Sequence, residues 1–196
     1  MNVEIEVGRI IRSSTTRFAV GCKVLQPQAP MFGSLVKVRA VGGDEIYGLI
    51  HEVSMEDDPF VRQIAVAGDA ARPEVVEDQR RRRQVPIEVG VLVVGYRSRE
   101  LVRHYLPPQP PLSLDLIYTC SPGELVQFTE SFDHFQLVLD NRDLPADELL
   151  AAHLRYAAEA RGQDGRDFLL EAGRELARLL ALDLTRLEGL LRRIRP

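Results

Sequence analysis

The sequence is short of several residues and patterns, and each shortage narrows what the chain can be. Of its 196 residues only Lys23 and Lys37 are lysine, and neither follows a glycine. No G-x-x-x-x-G-K-[ST] occurs, so the loop of backbone amides that cradles phosphate in P-loop enzymes is missing. The two cysteines, Cys22 and Cys120, lie far apart and form no CxxC pair. That speaks against a disulfide framework and fits a reduced compartment. Cys22 falls in an apolar strand pattern, where a thiol behaves as a small hydrophobe. The longest apolar runs, such as residues 89–95, are far too short to span a bilayer. The opening MNVEIEVGR is acidic where a secretory signal needs a basic and then an apolar stretch. A cytoplasmic protein without membrane contact is the expectation. Basic excess is lacking too: residues 1–112 carry 15 Lys+Arg against 14 Asp+Glu, and residues 113–196 carry 10 against 15. A protein that grips duplex DNA unaided neutralises phosphates with surplus cations, so direct nucleic-acid binding is disfavoured.

What is present begins with alternation. Val, Ile and Phe alternate with charged residues over 3–13, Arg17–Leu25, 35–41 and Glu45–Met55, the period of strands with one wet face. Gly42-Gly43-Asp44 suits a tight hairpin, since glycine accepts positive φ without steric cost. Gly8 and Gly48 fall inside strands, where a missing side chain marks a bulge or the bend that closes a small barrel. A fifth strand at 85–97 (VPIEVGVLVVGYR) has almost no polar face and is expected to be covered on both sides, by a helix of the barrel or by a neighbouring subunit. Its apolar run at 89–94 points to a homo-oligomer, because an uncovered apolar strand is a pairing hazard.

The runs GRIIRSSTTRFAV, FGSLVKVRA and IYGLIHEVS resemble the HAS-barrel, the small N-terminal β-barrel of HerA-type hexameric DNA-translocating ATPases. The likeness rests on Gly8, Arg9, Ile10 and Ile11, on Phe18, on Phe32 and Gly33 before a Val-rich strand, and on Tyr47, Gly48, Leu49 and Ile50. It covers roughly the first 95 to 110 residues, and its positions make a fold rather than a catalytic site. The family continues into an ATPase domain that this sequence does not contain. The resemblance implies a barrel that helps assemble a ring and engages a NurA-type nuclease.

The expected class is therefore α+β: a small closed or nearly closed β-barrel at 1–106, a proline-rich spacer at 107–112, and a mainly helical region at 113–196. Within the barrel region, PEVVEDQRRRRQ reads as a short helix with acids first and Arg80, Arg81, Arg82 and Arg83 last, an order that complements the helix dipole. These arginines form either a solvated face or a contact with an acidic partner; no interleaved aromatics are present to stack bases. After the spacer, 114–119 reads as a short strand. Ser121, Pro122 and Glu124 carry the signature of a capping box. Residues 135–139 (FQLVL) read as another strand. Helices follow at Ala146–Arg161, 166–182 and Leu184–Ile194, with leucine stripes and with Gly162 and Gly165 at the first turn. The stripes read as that region's own core, the last helix being the better docking candidate.

Catalytic chemistry is sparse. His51 and Glu52 precede Glu56, Asp57 and Asp58, but neighbours on a strand face opposite ways and share an ion only across a bulge. Asp133-His134 has the makings of an acid–base pair without a nucleophile spaced around it, and His104 and His153 form no pattern. Ser13-Ser14-Thr15-Thr16 reads as a polar turn. No catalytic residue, metal ligand or cofactor site emerges. The expectation is a non-catalytic interaction module whose partner is a HerA-like ATPase or NurA-like nuclease, met through Arg80 to Arg83. The alternative is an OB-like barrel binding single-stranded nucleic acid, which needs a basic groove lined by aromatics such as Phe18, Phe32, Tyr47 and Phe60.

Overall fold

A computed structural model describes residues 4–25, 31–40, 42–55 and 84–195. The arginine run at 80–83 with its expected helix, the acidic residues at 56–58 and Phe60 lie outside the described residues.

Six strands close on themselves: β1 (Glu6–Ser13), β2 (Arg17–Leu25), β3 (Leu35–Arg39), β4 (Glu45–Met55), β5 (Gln84–Ser98) and β7 (Leu116–Thr119); β6 (Leu101–Arg103) folds back on the end of β5. Around the barrel the order is β1-β2-β5-β4-β3-β7 and back to β1, every pair antiparallel. Alternation sets its inside: Ile10, Phe18, Val20, Val36, Val38, Ile46, Ile50 and the Val89, Val91, Val93 series fill the interior. Gly8 and Gly48 sit beside register shifts, as bulge positions. Gly48 faces the barrel interior, where a Cβ would run into Val91.

The closing strand comes from beyond the proline-rich segment. Leu116–Thr119, read from sequence with the C-terminal region, hydrogen-bonds between β1 and β3. The prolines are not a free linker either. Pro107 and Pro111 are buried, Ser13 Oγ donates to the Pro111 carbonyl at 2.7 Å, and the segment lies beside Ile46 and Tyr96 at one end of the barrel.

Helices α1 (Pro122–Phe128), α2 (His134–Leu139), α3 (Ala146–Arg161), α4 (Gly165–Leu179) and α5 (Leu184–Ile194) follow, with a 3-10 turn at Gly162–Asp164. The expected strand at 135–139 is the helix α2. A five-residue apolar run carries no period that separates a strand from a buried helix turn, and here Phe135, Val138 and Leu139 are buried from a helix. Nor do the helices make a core of their own. Phe128, Phe135, Leu149, Leu150 and Leu154 pack against Leu35, Tyr47, Leu49, Leu92 and Val94, the outward side chains of β3, β4 and β5. Each large side chain so buried contributes about 1.5–3 kcal/mol. The strand expected to seek a second subunit is thus covered by the chain's own helices, and both its edges are paired, by β2 and β4.

Candidate functional site

The junction between barrel and helices is where side chains with chemistry converge. Three of the four histidines meet there: His104 from the loop after β6, His134 from the first turn of α2 and His153 from the middle of α3. Ring centroids lie 5.3 Å apart for His104 and His134 and 5.3 Å apart for His134 and His153. Phe128, at the end of α1, touches all three and also Tyr47, 5.1 Å away. His104 Nε2 bonds the Phe128 carbonyl at 2.8 Å. His134 and His153 have zero exposure, and none of their four ring nitrogens has a hydrogen-bond partner. Backbone groups of Ser131 and Gly33 lie near enough to favour protonation slightly, but outside hydrogen-bonding geometry. Burial therefore dominates. It pushes His134 well below the usual imidazole range, with the neighbouring His153 and His104 adding to the shift. Burial likewise lowers His153 to about 4, helped by the Arg161 charge. Both rings are neutral at pH 7.

Beside this cluster lies an ionic one. Lys37 is 2% exposed, and its Nζ donates to Glu4 Oε1 at 2.6 Å and to Glu124 Oε1. Burial alone would lower its pKa, yet the bonds to the two carboxylates outweigh burial and raise it. Glu124 is held below its ordinary value: burial opposes this, and the bonds from Lys37 and Ser121 prevail. The same carboxylate accepts from the Ser121 backbone N–H at 2.9 Å while Ser121 Oγ accepts from Glu124 N–H at 3.3 Å. The capping box read from sequence is thus present, and it pins α1 to β3 as well as capping the helix. Glu45 takes Arg97 and, at 3.4 Å, the Tyr47 hydroxyl. Cys120 is half-buried, and burial pushes its thiol well up, as it does less strongly for Cys22.

The residues singled out in the sequence fare unevenly. Gly33, with φ +86°, lets α3 approach so closely that a Cβ would stand 2.5 Å from Ala152 Cβ. Gly42 and Gly43 both have positive φ in the β3–β4 hairpin. Asp133 and His134 are not a pair: Asp133 Oδ2 accepts from Ser131 Oγ at 2.8 Å, while His134 turns into the core. His51 and Glu52 do sit at a bulge, both against Gly90. Among the described residues, however, no three His, Cys, Asp or Glu side chains stand where they could hold a metal ion. Ser14 Oγ and N–H both bond the Arg17 carbonyl, closing the polar turn as expected. Phe18 is inside the barrel, Tyr47 is buried beneath α1 and Phe32 is half-buried, so these three aromatics make no open stacking groove. Among the described residues no Ser, Thr or Cys hydrogen-bonds a histidine.

A different surface does have the shape to receive something. Between α4 and α5 runs a groove of about 590 Å³ lined by Leu169, Leu170, Gly173, Ala177, Leu191 and Ile194, with Arg166, Arg174 and Arg195 around it. Of the leucine stripes read from sequence, Phe168, Ala172, Leu176, Leu180, Leu190 and Ile194 are buried and Leu169 and Leu191 pack half-buried against them, whereas Leu184 is 70% exposed; Leu170, outside the stripe, is 55% exposed. Among the described residues no helix is long and apolar enough to cross a membrane. No protein-family model matches the chain, and no curated protein matches it.

Proposed function

We propose that the chain is a non-catalytic protein-interaction and assembly module of the cytoplasm, an accessory subunit of a HerA/NurA-like DNA-processing ATPase–nuclease system. The observation that carries the interaction reading is the division of apolar surface. The helices cover Tyr47, Leu49, Leu92 and Val94 on the outer face of β4 and β5, whereas the α4–α5 pair leaves an apolar groove open to solvent. Exposed apolar concavities edged by charge are characteristic of protein contacts. The link to a translocating ATPase rests on the HAS-barrel resemblance of the first half of the chain. The buried positions of Phe18 and Tyr47 weigh against the single-stranded nucleic-acid alternative.

The test is recovery of partners on tagged protein from native extract at moderate salt after nuclease treatment, with Arg80, Arg81, Arg82 and Arg83 changed to Ser as a second bait. A HerA-like ATPase or NurA-like nuclease in the eluate is expected. Recovery of nothing but the bait, together with salt-dependent binding of single-stranded oligonucleotides, would overturn the proposal in favour of the nucleic-acid reading.

A further inference from the structure

We infer that the α4–α5 groove is a docking site for one amphipathic helix of an acidic protein partner; this rests on the interaction reading above and names the chemistry of its contact. α4 and α5 leave a trough between them, the kind of surface that receives a third helix through apolar anchors at i, i+3, i+4 and i+7. The floor suits such anchors. Gly173 has no side chain, Ala177 a small one, and Leu191 and Ile194 form the far wall. A Cβ on Gly173 would stand in van der Waals contact with Leu191 Cδ2 at 3.4 Å, so Gly173 and Leu191 together make the floor of the trough. Leu170 projects from the near wall, a solvent-exposed leucine beside a trough it does not fill.

Charge decides the kind of helix. Arg166 and Arg174, eight residues apart on α4 and about 12 Å along its axis, both line the trough. Arg195 stands at the end of α5. Among the described residues no carboxylate pairs with Arg166 or Arg174, whereas Arg178, Arg186, Arg192 and Arg193 all have carboxylate partners. None of Asp167, Glu171 and Glu175 lines the trough; Glu175 faces away from it, while Asp167 and Glu171 lie on the outer flank beside Arg174, where the three arginines leave the rim with a basic excess. An acidic helix satisfies the free guanidiniums and the apolar floor together. A phosphate backbone satisfies the first alone, and the floor presents no aromatic on which a base could stack.

The experiment titrates the full chain into a labelled helical peptide of about 16 residues, roughly 24 Å long. It carries leucines at i, i+3, i+4 and i+7 and glutamates on both flanks; its twin has lysines in place of glutamates. The acidic peptide is expected to bind at least about tenfold tighter than its twin and to weaken as salt rises. Leu170→Glu should raise its Kd at least about tenfold, and the pair Arg166→Glu, Arg174→Glu should invert the preference toward the lysine twin. All three residues are exposed, so the fold tolerates the changes, and circular dichroism verifies it. Gly173→Met, which fills the floor, should abolish binding. Equal binding of the twins, or no binding below about 1 mM, would overturn the inference. So would a concentration-dependent dimer abolished by Leu170→Glu, which would seat a second copy in the trough. Using Leu170→Glu as bait in the extract separates the two levels. If it still recovers the ATPase or nuclease, the interaction reading survives and the groove does not; if acidic peptide binds but the extract yields no such partner, the reverse holds.

Discussion

The buried imidazoles show how one side chain sets a pH limit on the whole fold. His153 has a folded pKa near 4 against 6.5 for the free group, so the native state excludes a proton that the unfolded chain takes up readily. Its contribution to stability is therefore complete above pH 6.5 and disappears as pH falls toward 4. The slope is about 1.4 kcal/mol per pH unit, and the loss totals roughly 3 kcal/mol. His134 shifts in the same direction and adds to it. Urea melts at pH 7.5, 6 and 4.5 should show this loss, and His153→Leu should narrow the gap between pH 7.5 and 4.5. An unchanged gap would place the titration elsewhere. Lys37 is the complementary case, a buried charge retained because two carboxylates meet it. Lys37→Met strands Glu124 beneath the helix start and should cost about 2 kcal/mol, discounted from a fully buried pair because Glu4 is partly exposed. Adding Glu124→Gln should recover part of that, which a double-mutant cycle in urea would measure. Equal losses in the single and double variants would mean that the stranded charge is not the cause.

At the scale of elements, the contact of α3 with the β3 approach depends on Gly33. Positive φ and the nearness of Ala152 both exclude a side chain there. Gly33→Ala should destabilise by about 2 kcal/mol, from strain at φ and from overpacking, and Gly33→Ala with Ala152→Gly should regain the packing part alone. Thermal melts of the two variants check the split; identical melts would mean that φ strain is the whole effect. Sequence displayed these elements in proportion to how local their cause is. Arg17–Leu25 and Glu45–Met55 were legible to the residue, because alternation and flanking turn residues are written along the strand. The capping box at Ser121 was legible for the same reason. Residues 135–139 were misread because a short apolar run has no period of its own, and only the barrel wall beneath it makes it a helix. The histidine cluster left no trace in the sequence: residues 104, 134 and 153 share no spacing, and only the stacking of α2 and α3 on β5 and β4 unites them. The arginine-edged groove was half visible, since leucine stripes announce an apolar face without saying how much of it a neighbour covers.

For the molecule as a whole, barrel and helices are joined through a shared strand. Val94 and Leu92 look outward into the helices while Val93 and Val91 look inward, so a single strand belongs to both cores. A chain ended at residue 112 would lose β7 and uncover Leu35, Tyr47, Leu49, Leu92 and Val94 together. It should run as aggregate on gel filtration and lack a cooperative melt; a monomeric, cooperatively melting fragment would show instead that six strands are not needed. The position of β7 also has a consequence for synthesis. The first strand of the barrel finds its second neighbour only when Leu116–Thr119 has left the ribosome, and Ile5 waits for the Thr119 amide, 114 residues downstream. Closure is a late, long-range event of the kind that folds slowly. Until it happens β1 and β3 each present an unpaired edge, so the nascent chain depends on shielding for most of its translation.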